Sequence, residues 1–309
     1  MTHPALDRVA RCSRFGYRLL AAQPLLAEVV ENQLDHAFTR EAMQVFLTEP
    51  PCTDEAALNQ RLRQLRQRVW LIVTARDLSG TADTAEVMTA YTALAEVCIA
   101  AALDFHHAAL AARHGEPRDE HGQPQQMVVV GMGKLGGGEL NVSSDIDLIY
   151  LYPEEGDTAS DDPEARIRSL TNHEFFIRLG RKLAAAISEN TADGYVFRVD
   201  LRLRPWGESG PFAMGFAMLE DYLMAQGRPW ERYAWIKARP LTGSRRDELT
   251  AIVRPFVFRK YLDFGAFAAI RDLHGQIRRE VARREMAHNI KLGPGGIREI
   301  EFTDRKSVG

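Results

Sequence analysis

Two aspartates separated by one residue stand at the start of an apolar run, "DIDLIYLY", at residues 145–152. Side chains alternate between the two faces of a β-strand, so we expect Asp145 and Asp147 to share a face while Ile146 and Leu148 point into the core. The two carboxylates then lie about 7 Å apart along the strand, where their charges repel. Because a hard divalent cation that bridges phosphate oxygens relieves this repulsion, the pair predicts a metal site for phosphate chemistry.

A glycine turn precedes the aspartates and favours the same chemistry. Gly136, Gly137 and Gly138 lack side chains, so a backbone turn here can bring free N–H groups close to a phosphate. The Ser144 hydroxyl and the Lys134 ammonium are further candidates for binding phosphate oxygens. The alternative is a hairpin loop whose Asp and Ser residues only cap and turn the chain, beside a solvated lysine. The glycines and the apolar strand that follows them favour the phosphate site.

The same stretch contains the pattern G-x-G-x-x-G, from Gly131 through Gly133 to Gly136. In a dinucleotide-binding turn this pattern opens a crossover helix, and an acid follows about 20 residues later at the end of the second strand. Only about nine residues separate Gly136 from Asp145, fewer than a crossover needs. The aspartates also begin a strand and do not end one. The Walker pattern fails as well, because two glycines stand where its Gly-Lys-Ser/Thr belongs.

Helical periodicity dominates the chain before this stretch. Between residues 55 and 78 the apolar side chains recur at helical spacing, at Leu58, Leu62, Leu65, Val69 and Ile72. A second helical segment follows over residues 79–115, with the cap-type residues Ser79, Thr81 and Asp83 at its start and Gly115 at its end. We therefore expect a helical N-terminal region over residues 1–118.

After a polar linker, "GEPRDEHGQPQQ", the apolar period changes from 3.6 to 2. "MVVV" and "DIDLIYLYP" are typical of strands, residues 161–189 of a helix, and "GYVFRVDLRLRP" of an alternating strand that Pro205 ends. Helices return from about residue 213. The mixture predicts an α+β fold with a catalytic domain over residues 125–270. We expect residues 271–309 to start a further helical region, truncated here because the final "TDRKSVG" continues no period.

Several long motifs resemble one enzyme family. "GG...SSDIDLIYLY" resembles the signature of the polymerase-β-like nucleotidyltransferases, in which two small residues precede a D-h-D-h pair. More narrowly, "GMGKLGGGELNVSSDIDLIYLY", "RVDLRLRPWGESGP" and "KLGPGGIREIEF" are similar to the glutamine synthetase adenylyltransferase/adenylyl-removing family. The resemblance covers nearly the whole chain. It implies a helical N-terminal bundle and a nucleotidyltransferase domain with a small mixed sheet flanked by helices.

The resemblance also implies a third acid on a neighbouring strand, which completes a site for two Mg²⁺ ions. Asp200 is the candidate, since Asp200, Arg202 and Arg204 alternate with apolar residues in "VFRVDLRLRP" and would share one strand face. Planar guanidinium groups suit phosphate oxygens. The alternative is a solvated strand face on which Asp200 pairs with Arg202. We predict the three aspartates as catalytic metal ligands, and the two arginines with the glycine turn as nucleotide or phosphate contacts.

Composition limits the kinds of partner. A net charge of -3 over 309 residues argues against a protein that coats nucleic acid. The three cysteines are far apart, which suits a reducing compartment and predicts neither a disulfide framework nor a zinc site. We find no apolar run near the ~20 residues of a membrane span and no signal pattern at the N-terminus. We therefore expect a cytoplasmic protein that binds neither nucleic acid nor membrane.

The resemblance implies an activity. Family members carry two nucleotidyltransferase domains in tandem: the first removes AMP from a tyrosine of glutamine synthetase by phosphorolysis, giving ADP, and the second attaches AMP from ATP. The initial methionine, the helical lead-in and "SSDIDLIY" resemble the adenylyl-removing half. Implied partners are glutamine synthetase, a PII-type nitrogen signalling protein, ATP or ADP, and phosphate. Two alternatives stay open: a nucleotidyltransferase for another acceptor, such as a small molecule or an RNA end, and a catalytically silent regulatory module.

Overall fold

The structure is a computed structural model that describes residues 3–162, 164, 166–258, 264–283, 289–291, 293–297 and 299–301. Residues 302–309 of the predicted C-terminal region lie outside the described residues. Helices occupy most of the chain up to residue 114: α1 (Pro4–Cys12), α2 (Arg14–Ala22), α3 (Pro24–Glu31), α4 (Arg40–Thr48), α5 (Glu55–Ser79) and α6 (Thr84–His114).

Helices α5 and α6 form for the reasons that their sequences suggest. The side-chain carboxylates of Asp54 and Asp83 each accept a backbone N–H of the first turn at 2.8 Å, so they cap the two N-termini. Helix α5 ends at Gly80, whose φ of +73° favours glycine. The five apolar positions predicted to face the core are all buried, namely Leu58, Leu62, Leu65, Val69 and Ile72. Both predicted helices are confirmed, and α6 ends before Gly115 as expected.

Helix α6 corrects one expectation from composition. By length and apolarity it is able to cross a membrane, whereas no segment with these properties was expected. In the structure 56% of its most apolar window is buried, and the helix packs against α4, α5 and α8. The core helix of a soluble protein has the same length and composition, so this feature alone is weak support for a membrane span.

The second part of the chain alternates strands with helices. Its elements are β1 (Glu116–Pro117), β2 (Val128–Gly131), α7 (Gly133–Gly136), β3 (Ile146–Tyr152), β4 (Thr158–Ala159), α8 (Asn172–Ser188), β5 (Val199–Asp200), β6 (Met214–Gly215), α9 (Phe216–Ala225), α10 (Pro229–Trp235), β7 (Arg239–Pro240), α11 (Arg246–Val257) and α12 (Phe264–Arg283). Strands β1 and β4 pair with each other, and the other five form the central sheet.

The central sheet is mixed and has the order β5–β3–β2–β7, with β6 paired to the far end of β3. Strand β3 runs antiparallel to β2 and parallel to β5 and β6. Strand alternation sends Val129 and Tyr150 into a core shared with α5, α6 and α8, and it sends Val130 and Ile149 into a core shared with α9–α11. Helices therefore cover both faces of a small mixed sheet, which confirms the predicted α+β fold.

The connection between β2 and β3 also confirms that the glycine pattern is no dinucleotide turn. The two strands are antiparallel neighbours, with Val130 opposite Ile149. They are joined through α7, which is only four residues long. A dinucleotide-binding unit instead needs parallel strands and a full crossover helix.

The helix predicted over residues 161–189 begins later than expected. Helix α8 starts at Asn172, because Thr171 and Glu174 form a capping box in which each side chain accepts the other's backbone N–H. The segment before α8 instead bonds to β4: the backbone N–H of Leu170 donates to the Thr158 hydroxyl at 2.9 Å. The prediction was therefore wrong for residues 161, 162, 164 and 166–170 and correct for most of the remainder, whereas residues 163 and 165 lie outside the described residues.

The strand predicted over residues 194–205 is also shorter than expected. Of these residues, only Val199 and Asp200 form a strand, β5, which pairs with β3. The Asp200 carboxylate then accepts the backbone N–H of Arg202 at 2.9 Å, and the Arg204 N–H donates to the Leu201 carbonyl at 3.3 Å. These bonds turn the chain, because an Asp side chain competes with a strand ladder for nearby N–H groups. The prediction of one strand face shared by Asp200, Arg202 and Arg204 is therefore wrong.

Candidate active site

Strand pairing brings the three predicted acids together. Asp147 on β3 and Asp200 on β5 are direct register partners, so their backbones lie about 5 Å apart in neighbouring strands. Asp145 immediately precedes β3 and lies on the same side of the strand as Asp147, since Ile146 between them is fully buried. The site is therefore a cluster of three carboxylates at one end of the sheet.

The carboxylates influence one another electrostatically. Burial, and next the neighbouring carboxylates of Asp200 and Asp145, raise the pKa of Asp147 to about 6. The positive charges of Arg202 and Lys291 oppose this shift. The pKa of Asp200 moves the other way, because hydrogen bonds from the Arg202 side chain stabilise its charged form. Burial and the neighbouring acids thus both disfavour the ionised form of Asp147.

Two arginines contact the carboxylate cluster. Arg198 Nε donates to Asp145 Oδ1 at 2.5 Å. Arg202 Nη2 donates to Asp200 Oδ2 at 2.5 Å, and its Nε lies 3.0 Å from each carboxylate oxygen. The pairing of Arg202 with Asp200 is the alternative that the sequence had left open. The structure shows both the acid cluster and this pair.

The acid cluster has the donor chemistry of a metal site but no ready arrangement of three ligands. Within the described part of the chain, no three His, Cys, Asp or Glu side chains are arranged as a ready metal-binding group, and guanidinium groups contact two of the three acids. The chemistry of the donors nevertheless fits Mg²⁺, which binds through carboxylate oxygens. After burial, the charges of Asp200 and Asp145 are the next largest causes of the raised pKa of Asp147, and a cation would offset them. Asp145, Asp147 and Asp200 are therefore the residues that would hold the metal.

The residues predicted to contact phosphate differ in their packing and exposure. Gly136 has a packing reason to be glycine, since a Cβ there would lie 1.8 Å from the Lys237 carbonyl oxygen. Gly138 has a φ of +73° and open space around it, and Gly137 is exposed. The Ser144 hydroxyl donates to Asn141 Oδ1 at 2.6 Å.

Lys134 and Arg204 also differ in their surroundings. Lys134 is the second residue of α7 and is partly exposed, and no acidic side chain among the described residues pairs with its ammonium. The Arg204 guanidinium instead donates to the backbone carbonyls of Leu201, Glu208 and Gly210, at 2.8, 3.2 and 3.3 Å. It therefore holds the turn after β5 closed. A phosphate contact stays a prediction for both residues.

Comparison with known proteins identifies the family of the chain. A sequence model of the family described as glutamate-ammonia ligase adenylyltransferase matches residues 4–251, which includes the whole acid cluster. The chain belongs to the glutamate-ammonia ligase adenylyltransferase family. A model described as GlnD PII-uridylyltransferase matches residues 271–304.

Individual family members are similar over nearly the whole chain. The chain is 57% identical over 298 residues to a protein of Nitrosomonas europaea and 52% identical over 302 residues to one of Chromobacterium violaceum. Both are named bifunctional glutamine synthetase adenylyltransferase/adenylyl-removing enzyme. These alignments cover 94% and 97% of the chain but 31% and 33% of the relatives. The chain thus spans about a third of the length of the curated relatives it matches.

Three residues near the acid cluster were not predicted as site residues from the sequence. Arg198 lies two residues before Asp200, and its type next to a candidate acid was a usable signal. Gly133 has a φ of +56°, and a Cβ there would lie 3.5 Å from Asp147 Oδ2, so it is a glycine of the turn that adjoins the acids. Lys291 begins "KLGPGG" and its charge acts on Asp147. This segment is one of the motifs that carry the family resemblance, and the structure adds that the Lys291 charge acts on Asp147.

Proposed function

We propose that this chain carries the adenylyl-removing site of a bifunctional glutamine synthetase adenylyltransferase. The observation that carries the proposal is the cluster of Asp145, Asp147 and Asp200 on paired strands in a chain of this family. The similarity of "SSDIDLIY" and of the helical lead-in to the adenylyl-removing half supports the choice of direction. Glutamine synthetase is then the protein substrate. A PII-type signalling protein is the proposed regulator.

In the proposed reaction an oxygen of inorganic phosphate attacks the phosphorus of the AMP group on a tyrosine. The bond between this phosphorus and the tyrosyl oxygen breaks, the tyrosyl oxygen takes up a proton, and ADP forms. Mg²⁺ held by the three aspartates would neutralise charge on the attacking phosphate and on the departing oxygen. Lys134, Arg202 and the backbone of the glycine turn bind phosphate oxygens. Positioning and charge neutralisation suffice for this transfer, so no covalent nucleophile is invoked.

The experiment incubates the chain with adenylylated glutamine synthetase, phosphate and Mg²⁺ and measures ADP. Asp147→Asn should lower the rate on the order of 100-fold or more, because charge stabilisation by a metal contributes several kcal/mol. Asp77→Asn is the control, since Asp77 is an exposed acid near the end of α5. No ADP from the wild type, or an unchanged rate with Asp147→Asn, contradicts the proposal.

The family name also contains the opposite reaction, so the direction needs its own test. The same preparation is mixed with unmodified glutamine synthetase, ATP and Mg²⁺, and AMP incorporation is measured. We expect phosphorolysis and no adenylylation. Adenylylation without phosphorolysis would assign this site to the other half of the bifunctional enzyme.

A further inference from the structure

The guanidinium of Arg198 forms hydrogen bonds with Asp145 and with two further residues. Its Nε donates to Asp145 Oδ1 at 2.5 Å, its Nη2 to the Ser143 carbonyl at 2.9 Å and its Nη1 to the Tyr195 hydroxyl at 3.1 Å. The guanidinium therefore has three contacts in different directions, and only one of them is with a carboxylate. No described donor contacts the second oxygen of Asp145, Oδ2, which is left available.

Tyr195 in turn contacts helix α5 of the N-terminal region. The guanidinium of Arg66, on α5, lies 4.9 Å from the centre of the Tyr195 ring, a cation–π distance. The preceding segment is tied to the same helix. Arg63, 1% exposed, donates to the carbonyls of Glu189 and Gly194 at 2.5 and 2.7 Å, and Gln67 to that of Asp193 at 3.1 Å. Helix α5 thus supports the segment that leads to Arg198.

Arg202 provides the contrast. Its guanidinium contacts both oxygens of Asp200, and among the described residues Asp200 is its only hydrogen-bonding side chain. Exposure does not separate the two arginines, since the side chain of Arg202 is 71% exposed and that of Arg198 56%. A cation that binds Asp200 must therefore displace Arg202. A cation that binds Asp145 through Oδ2 can leave Arg198 in place.

We propose that Arg198 is a positioning residue that holds Asp145 Oδ1 so that Oδ2 faces a metal ion, with Tyr195 and α5 as its support. This rests on the proposed function, which places Mg²⁺ at the carboxylates. Groups that orient a metal ligand without touching the metal typically contribute 10–100-fold to metal affinity. The positive charge of Arg198 acts in the opposite direction, because it repels the ion. Geometry and charge must therefore be separated experimentally.

Arg198→Lys separates them, because lysine keeps the charge but loses the planar fork that makes three contacts at once. The measurement is Mg²⁺ binding to the full chain by titration calorimetry. We expect Arg198→Lys to bind Mg²⁺ about 10-fold more weakly than wild type. Tyr195→Phe, which keeps the ring above Arg66 and removes one anchor, should weaken binding by about 2- to 3-fold. The matched control, Arg202→Lys, should bind Mg²⁺ at least as tightly as wild type.

The outcomes separate this proposal from the proposed function. If Arg198→Lys binds Mg²⁺ as tightly as wild type or more tightly, the three-contact geometry of Arg198 does not favour metal binding and the positioning role is wrong. If Arg202→Lys loses affinity equally, the contrast between the arginines is wrong. Thermal unfolding of each variant without Mg²⁺ identifies a general loss of folding, which would contradict a local role.

A wild type that binds Mg²⁺ but forms no ADP contradicts the proposed function alone. A wild type that binds no Mg²⁺ contradicts both.

Discussion

Strands β3 and β5 contribute acids to the same cluster but are built differently. Strand β3 has seven residues, pairs with β2, β5 and β6, and is almost fully buried. Strand β5 has two partly exposed residues, and among the described strands it pairs with β3 alone. The segment before β5 takes its position from contacts with α5, through Arg63 and Gln67. One half of the site is thus set by a strand within the sheet, and the other half by packing against the helical region.

The largest expected effect is on the part of the site formed by β3, because Gly136 lies in α7, which packs against this strand. A Cβ at Gly136 would lie 1.8 Å from the Lys237 carbonyl and 2.4 Å from that of Gly131. Gly136→Ala should therefore lower the free energy of unfolding by about 3 kcal/mol or more, since backbone must move. Chemical denaturation measures this. Gly137→Ala is the matched control, because its Cβ would meet mainly side chains at 3.3–3.4 Å. Equal losses would show that Gly136 is not the packing glycine.

The corresponding change in the β5 half is Arg63→Ala. It removes hydrogen bonds to the carbonyls of Asn59, Ala186, Glu189 and Gly194 in a buried place. Leaving buried acceptors unpaired should lower the free energy of unfolding by about 2–3 kcal/mol. Arg61→Ala, on the same helix but bonded to a single carbonyl, should change it by less than about 1 kcal/mol. A similar loss in both variants would refute the support that we assign to Arg63.

A third prediction uses the charge of Asp147. Its folded pKa, about 6, lies above the ordinary value of 3.8, so the ionised carboxylate destabilises the metal-free protein above pH 6. As the pH falls from 6 toward 4, the folded state takes up the proton first and stability rises. Asp147→Asn should therefore raise the free energy of unfolding by about 2 kcal/mol at pH 8 without Mg²⁺. This advantage should shrink toward pH 4. Denaturation at both pH values, with Asp145→Asn as control, checks the sign.

The smallest expected effect lies at the start of α8, the helix whose C-terminal carbonyls Arg63 contacts. Thr171→Ala removes one half of the capping box and should lower the free energy of unfolding by about 1 kcal/mol. Because the cap is far along the helix from β5, Mg²⁺ affinity should stay unchanged. A several-fold loss of Mg²⁺ affinity would show that the β5 half depends on the whole of α8. Thermal unfolding and calorimetry on one preparation provide both values.

Local sequence patterns determined much of this protein. The caps and apolar spacing of α5 and α6, the alternation of β3 and the shared side of Asp145 and Asp147 all depend on near neighbours in the chain. They were therefore predictable. The family, too, was identifiable from motifs of 12 to 22 residues.

Tertiary structure alone decided how the site is completed. Strand pairing places Asp200 beside Asp147, although a local bond from the Arg202 N–H to the Asp200 carboxylate ends the predicted strand there. The pairing of Arg198 with Asp145, the support from Arg66 and the charge of Lys291 all join residues that are distant in sequence. Periodicity records which face of an element is apolar. It does not record which element packs there, and that choice placed the third acid and Arg198 at the cluster.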